Sequence, residues 1–278
     1  MPPHARRWRR SDSFMMTARK QSAVVLCYHD VVNQVSTASG MQSPGSLLYK
    51  MRRSDFAAHL DAIGRAGLTP TLPNTNGQLT SENSLVLTFD DGGISAISEI
   101  APLLESRGWR GAFFITTDWI GMPGFLHAAD IAALADRGHL IGSHSRSHPQ
   151  ISRLSSAQMR EEWQESIRIL SEIVGSHVVT ASVPGGFYSQ QVARAASDAG
   201  CRLLFNSEPV VQLEEQNGCL VAGRFRVVAN TTTKTIVGLA QRRRAPQLRQ
   251  QLSWEAKKAA KRFGGALWFR LRNRLRPN

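Results

Sequence analysis

The chain has 278 residues, 42% of them hydrophobic, enough for one large domain or two modest ones with a real core; disorder throughout and a disulfide-stapled miniprotein are both excluded. Its 34 Lys and Arg against 21 Asp and Glu leave a formal charge of +13, a surplus that by itself points to a polyanionic partner. That surplus is confined to the ends. Residues 1–20 hold Arg6, Arg7, Arg9, Arg10, Arg19 and Lys20 against Asp12 alone, and residues 242–278 hold twelve cations against Glu255 alone. The stretch 21–241 keeps 16 basic and 19 acidic residues and is mildly acidic. Without basic and aromatic residues interleaved on its strands, it is a poor nucleic-acid binder.

The pair Arg6-Arg7 invites an export-signal reading, but Asp12, Arg19 and Lys20 interrupt the next residues, and the apolar run Ala23–Cys27 is too short for an h-region. Cys27, Cys201 and Cys219 form no CxxC pair, which suits a reducing compartment better than a disulfide framework. A cytoplasmic placement is expected. Residues 1–20 are read as a disordered basic extension, 21–241 as the main folded domain and 242–278 as a basic tail.

Short apolar runs alternate with segments of helical period, the pattern of an α/β domain. Predicted strands are Ala23–Tyr28, Leu85–Phe89, Ala112–Thr116, Leu140–Gly142, Val178–Val183, Arg202–Phe205 and Phe225–Val228. Predicted helices are Ser54–Ala66, Ile94–Arg107, Ala128–Arg137, Ser155–Val174, Ser189–Ala199 and Thr232–Arg242. Several end at a glycine, as at Gly67, Gly138 and Gly175. Seven strands with helical crossovers predict a parallel barrel somewhat smaller than an eight-fold one. An open doubly wound sheet is the alternative, but no glycine-rich phosphate turn comes after the first strand.

Two motifs carry chemistry. Leu87-Thr88-Phe89-Asp90-Asp91-Gly92-Gly93 brings adjacent carboxylates to the end of a strand, where barrels gather catalytic groups. Adjacent carboxylates repel unless a cation or divided roles compensate. Leu140-Ile141-Gly142-Ser143-His144 through His148 ends another strand in two imidazoles four residues apart. Each alone also fits a surface turn. Together they offer two histidines and one Asp, a catalytic ligand set for zinc or a similar divalent ion, with the second Asp free to act as a base.

Thr88-Phe89-Asp90-Asp91-Gly92 and His144-Ser145-x-x-His148 resemble the first two motifs of the polysaccharide deacetylases, carbohydrate esterase family 4, with their NodB-homology domain. The resemblance spans roughly residues 23–230. It implies a distorted barrel with fewer than eight β/α units, here of (β/α)7 type, with metal ligands Asp91, His144 and His148 and Asp90 as general base. It also implies an N-acetylated glycan as substrate. The third motif departs: the family's Arg-x-Pro-x-Gly stands here as Ser182-Val183-Pro184-Gly185-Gly186. Pro184 and Gly186 keep the turn beside the substrate, and the Gly185 N–H is placed to donate to an oxyanion. Ser182 cannot replace the missing arginine; Arg224, at the start of a strand, is the candidate substitute, or else a surface residue at a strand end.

The family's last histidine motif is also absent, since the final histidine of the chain is His177. Leu26-Cys27-Tyr28-His29-Asp30 resembles instead the N-terminal Tyr-His segment of the poly-N-acetylglucosamine deacetylase branch, which makes His29 the acid for the leaving amine. The competing reading has His29 capping a strand or paired with Asp30. His59, His127, His139 and His177 are read as structural or solvated. Two rival functions stay open: a sugar-binding domain that has lost catalysis, and a hydrolase of a non-sugar amide.

From Pro246 the composition changes. Leu248, Leu252, Ala256, Ala259, Phe263, Leu267, Leu271 and Leu275 fall near one helical face with cations on the other, and Gly264-Gly265 is expected to divide the tail into two helices. Either this is a basic helix packed on the barrel, or it attaches the enzyme to the anionic cytoplasmic face of a membrane.

Overall fold

The computed structural model describes residues 21–33, 39–79 and 83–258. The expectations for residues 1–20, and for the tail beyond 258 with its Gly264-Gly265 break, lie outside the described residues. The chain opens with β1 (Ser22–Tyr28), β2 (Val31–Val32), β3 (Met51–Arg52), α1 (Arg53–Arg65) and β4 (Asn83–Phe89). It continues through α2 (Ala101–Glu105), β5 (Ala112–Ile115), α3 (Ala128–Asp136), β6 (Leu140–Ser143) and α4 (Ser156–Val174). Then come β7 (Thr180–Ser182), α5 (Gln190–Asp198), β8 (Leu203–Phe205), β9 (Leu213–Gln216), β10 (Cys219–Ala222), β11 (Phe225–Arg226) and α6 (Thr233–Ala240). Residues 244–258 form a last helix, α7.

All seven predicted strands are present and lie in one nine-stranded sheet, ordered β11-β1-β4-β5-β6-β7-β8-β10-β9. Every pairing in it is parallel except β10 with β9. The sheet curls on itself. Just before β9, the Ala23 N–H donates to the Val211 carbonyl at 2.8 Å and the Leu213 N–H to that of Gln21 at 3.0 Å. The far edge of the sheet thereby meets the start of β1, giving the barrel-like closure that the strand count predicts.

Two differences from the expected elements have physical reasons. The predicted helix Ile94–Arg107 is a π-helical turn, Ala96–Ile100, leading into the short α2. Pro102 lacks an N–H and its ring crowds the carbonyl four residues back, so the α pattern cannot run through it. The β9–β10 hairpin is not among the expected strands because Leu-Glu-Glu-Gln has no strand-like alternation. Its turn, Asn217-Gly218, has φ of 55° and 81°, the left-handed pair that an Asn-Gly hairpin favours.

Side chains alternate between two cores. Val24, Leu26, Leu85, Leu87 and Phe89 face the helices, whereas Ala23, Val25, Val86, Phe114, Leu203 and Phe205 fill the inside of the curl. The same parity sends Cys27, Thr88, Asp90, His144, Ser182 and Arg224 inward, at the end where the strands finish. Space inside is tight. A Cβ on Gly142 would run into the Phe114 ring and lie 2.7 Å from Thr180 Oγ1. Gly142→Ala should therefore lower stability by about 1–3 kcal/mol through overpacking, read as a lower denaturation midpoint.

Candidate active site

Asp90 continues the β4 ladder, its N–H donating to the Tyr28 carbonyl at 3.2 Å. At Asp91 the backbone turns into the left-handed region, with φ 78°, and Gly92 is next at 83°. This turn makes the two carboxylates diverge, each toward a different set of partners.

Asp91 meets the histidines. Its Oδ1 lies 3.4 Å from His144 Nε2 and 3.6 Å from His148 Nε2. The His144 Nδ1 sits 2.9 Å from the Ser182 carbonyl; donating there leaves Nε2 as the lone-pair nitrogen, the usual support of a metal-ligating histidine. The His144–His148 loop is tight, with φ of 65° at Ser145 and 57° at His148. Glu162 of α4 holds it, accepting from the Ser147 N–H at 2.9 Å and the Ser147 hydroxyl at 2.7 Å.

The donor set suits a divalent cation. Asp91 Oδ1 is buried with no hydrogen-bond partner, and one ligand atom each from Asp91, His144 and His148 lie within 4.8 Å of one another. Burial opposes a charged His144, yet Asp90 and Asp91 outweigh it and raise the imidazole's pKa. His148 moves the other way: burial, then the neighbouring His144 charge, push it down to about 4. A cluster that favours one positive charge between two carboxylates accommodates a proton or, better, a metal ion.

Asp90 meets Arg224, whose Nη1 and Nη2 donate to the two carboxylate oxygens at 2.7 and 2.8 Å. This is the planar, two-bond fork that an arginine alone provides. Arg224 is 1% exposed, and its remaining donors reach the Asn206 carbonyl at 2.9 Å and Thr88 Oγ1 at 3.3 Å. Burial acts to raise the Asp90 pKa, but Arg224 and then His144 outweigh it and hold the carboxyl well below the usual range. Two further donors face Asp90 Oδ2, the Ser182 hydroxyl at 3.3 Å and the Cys27 thiol at 3.6 Å. Burial pushes that thiol's pKa up, so Cys27 stays protonated as a donor.

His29 comes just after β1 and packs on the Tyr49 ring, centroids 4.3 Å apart. One of its nitrogens, an Asp90 oxygen and the Cys27 sulfur lie within 4.8 Å of one another, and Nδ1 is buried without a hydrogen-bond partner. It is not paired with Asp30, whose Oδ1 accepts from Ser39 at 2.6 Å and Ser95 at 2.7 Å. His59 and His139 serve the core, on Thr231 and Glu105 respectively at 2.8 Å.

The Pro184–Gly186 turn comes after β7, with φ of 57° at Gly185 and 69° at Gly186. Phe187 packs over Gly185, and Gly186 backs onto Ser207 and Trp254 of α7. The structure thus gathers Asp90, Asp91, His144, His148, His29 and Arg224 at one end of the sheet, with this turn beside Ser182. Sequence reasoning misses Ser182 and Cys27 as partners of Asp90, and Trp119, whose ring lies 5.1 Å from that of His148. Strand parity is the signal that finds Cys27 and Ser182. Trp119 ends a single 3-10 turn, Thr117–Trp119, outside the strands and carries no such signal.

The polysaccharide deacetylase family profile matches residues 77–204 of the chain, which include the paired carboxylates and both histidines. YxkH of Bacillus subtilis, a putative polysaccharide deacetylase by name, is 24% identical over 223 residues, 78% of this chain and 75% of that protein. A chitin deacetylase of Colletotrichum lindemuthianum is 29% identical over 139 residues, 48% of this chain and only 52% of its own length. Among solved structures, the Streptococcus pyogenes deacetylase PplD shares the fold at a TM-score of 0.66 and 18% identity, over 80% of this chain and 99% of that one.

Proposed function

Because the chain belongs to the polysaccharide deacetylases, through a domain of the NodB-homology kind, we propose that it is a metal-dependent hydrolase releasing acetate from N-acetylated amino sugars of a polysaccharide, oligosaccharide or lipid-linked glycan. The observation that carries this reading is the Arg224–Asp90 fork set beside the Asp91–His144–His148 cluster. A binding domain has no use for that second, charge-paired carboxylate.

Asp91, His144 and His148 would hold the cation, most simply zinc given two imidazoles and one carboxylate. When bound, such an ion supplies Lewis-acid polarisation of the amide carbonyl and lowers the pKa of a water. Asp90, kept ionised by Arg224, takes the proton from the attacking water. The Gly185 N–H donates to the oxygen that gains charge, and His29 gives a proton to the departing nitrogen, so that water and amide become acetate and a free amine. His29 in this role is what the Tyr-His branch would require. The basic stretch 242–278 is read as attaching the enzyme to the anionic cytoplasmic face of a membrane.

Acetate release from N-acetylglucosamine oligomers, with and without a chelator, tests the reading. Release should stop on chelation and return with zinc; release that ignores the chelator would sink it. His148→Ala should lower cation affinity by at least about 100-fold, seen by elemental analysis of the purified protein. An unchanged cation content would remove His148 from the site.

A further inference from the structure

Helix α7 is amphipathic in the wrong sense for a packed helix. Its inward side is mostly glutamine. Gln250 bonds both the N–H and the carbonyl of Arg226, at 3.1 and 3.0 Å, and Gln251 donates to the Pro209 carbonyl at 3.1 Å. Trp254 rests against Gly186. Its outward side presents Leu248 and Leu252, one turn apart, 52% and 70% exposed. A helix held to a domain by its apolar stripe does the reverse.

These leucines are not isolated. Among the described residues, the other exposed large apolar side chains are Leu47, Leu48 and Met122. Leu47 and Leu48 precede Tyr49, the residue stacked on His29. Met122 sits in the turn with Trp119, the residue against His148. Leu47, Leu48 and Met122 thus neighbour residues of the catalytic cluster, and α7, which carries Leu248 and Leu252, is held at the same end through Gln250 on Arg226 and Trp254 against Gly186. Scattered single apolar residues mean nothing, but apolar residues gathered on one rim mark a docking surface.

Charge selects the occupant. Arg249, Lys257 and Lys258 lie on the same helix, and exposed Arg226 lies beside it. Lys258 reaches Glu208 at this rim, and from there the sequence runs on for twenty residues with six cations and no acid. An exposed pair of leucines on a helix with four cations against Glu255, continued by six more cations, suits an anionic lipid surface. Among the described residues no helix is long and apolar enough to cross a membrane.

We propose that the catalytic end of the barrel itself docks on an anionic bilayer, through Leu47, Leu48, Met122, Leu248 and Leu252, so that the site opens toward the lipid surface. This rests on the membrane placement above and extends it from the tail to the mouth of the site. The substrate class that fits is a lipid-linked glycan whose N-acetyl groups lie close to the bilayer.

The test is co-sedimentation of the full chain with phosphatidylcholine vesicles, with and without phosphatidylglycerol. Two variants accompany it: Leu248→Asn with Leu252→Asn, and Leu47→Asn with Leu48→Asn and Met122→Gln. Wild type should bind only the anionic vesicles, and each variant should bind at least about 10-fold more weakly. Acetate release from soluble oligomers should be unchanged in both, which keeps failure of docking separate from failure of the catalytic reading. Full binding by the second variant would leave the tail as the whole attachment and overturn the proposal. So would absence of vesicle binding by wild type, or a wild-type dimer in solution that either variant splits, which would give the face to a second copy.

Discussion

Asp90→Asn lowers acetate release by about 100- to 10,000-fold, the usual loss for a general base, while the cation content of the protein stays that of wild type. The substitution keeps the shape of the side chain but removes its charge and, with it, its capacity to take a proton. Because Asp91, His144 and His148 form a cluster of their own, with Asp90 Oδ2 3.9 Å from His144 Nε2, cation binding survives. Some stability is lost, since Arg224 then faces a neutral amide at 1% exposure. The measurement pairs acetate assays with elemental analysis. Turnover near the wild-type rate would show that another group is the base.

Arg224→Met acts through the same carboxylate from the other side. With the fork removed, Asp90 stays buried without its cation, and breaking such a pair costs about 3–5 kcal/mol. The sign with pH is definite. In wild type the folded Asp90 pKa is depressed, so its contribution to stability is present above the unfolded carboxylate pKa and lost as pH falls through the folded one. Without Arg224 the depression is relieved and burial pushes the pKa up. The variant should therefore be relatively more stable in acid, and the limb of its activity profile that reports ionisation of the base should move to higher pH. Denaturant melts and a kcat/KM profile read both. A limb that does not move would reduce Arg224 to a structural role.

Ser182 Oγ lies 3.3 Å from Asp90 Oδ2, at the position where the family pattern has arginine. Arg224→Ala with Ser182→Arg should recover part of the lost rate, because the new guanidinium enters the space the old one leaves. Ser182→Arg alone should destabilise a site already filled. Acetate assays on the two variants, beside Arg224→Ala alone, check both outcomes.

The main body of this arrangement is legible in the sequence because β-structure has a period of two. An apolar strand ending in Thr88-Phe89-Asp90 fixes which carboxylate continues inward, and the glycines after Asp91 announce the turn that separates it from its neighbour. The His144–His148 spacing carries the rest of the ligand set. Arg224 is legible only as a candidate, since it meets Asp90 from 134 residues further on, delivered by a hairpin whose first strand is polar. The Asn217-Gly218 turn is the available signal for that hairpin. For α7 the spacing of leucines gives a face, but not what the face turns toward; that depends on the glutamines finding carbonyl and amide partners on the sheet.

Closure of the sheet has a consequence for biosynthesis. Asp90 leaves the ribosome well before its counter-charge: 134 residues, at roughly 5–20 residues per second, is a delay on the order of ten seconds. During that interval the nascent chain has the strands to collect its carboxylates but neither the guanidinium that neutralises one of them nor the edge that joins the sheet's two ends. The half-made domain cannot bury Asp90 as an anion without penalty, so the segment from Val211 to Arg224 decides when the first strands settle. Competence for chemistry and completion of the fold then arrive together, in the same late step.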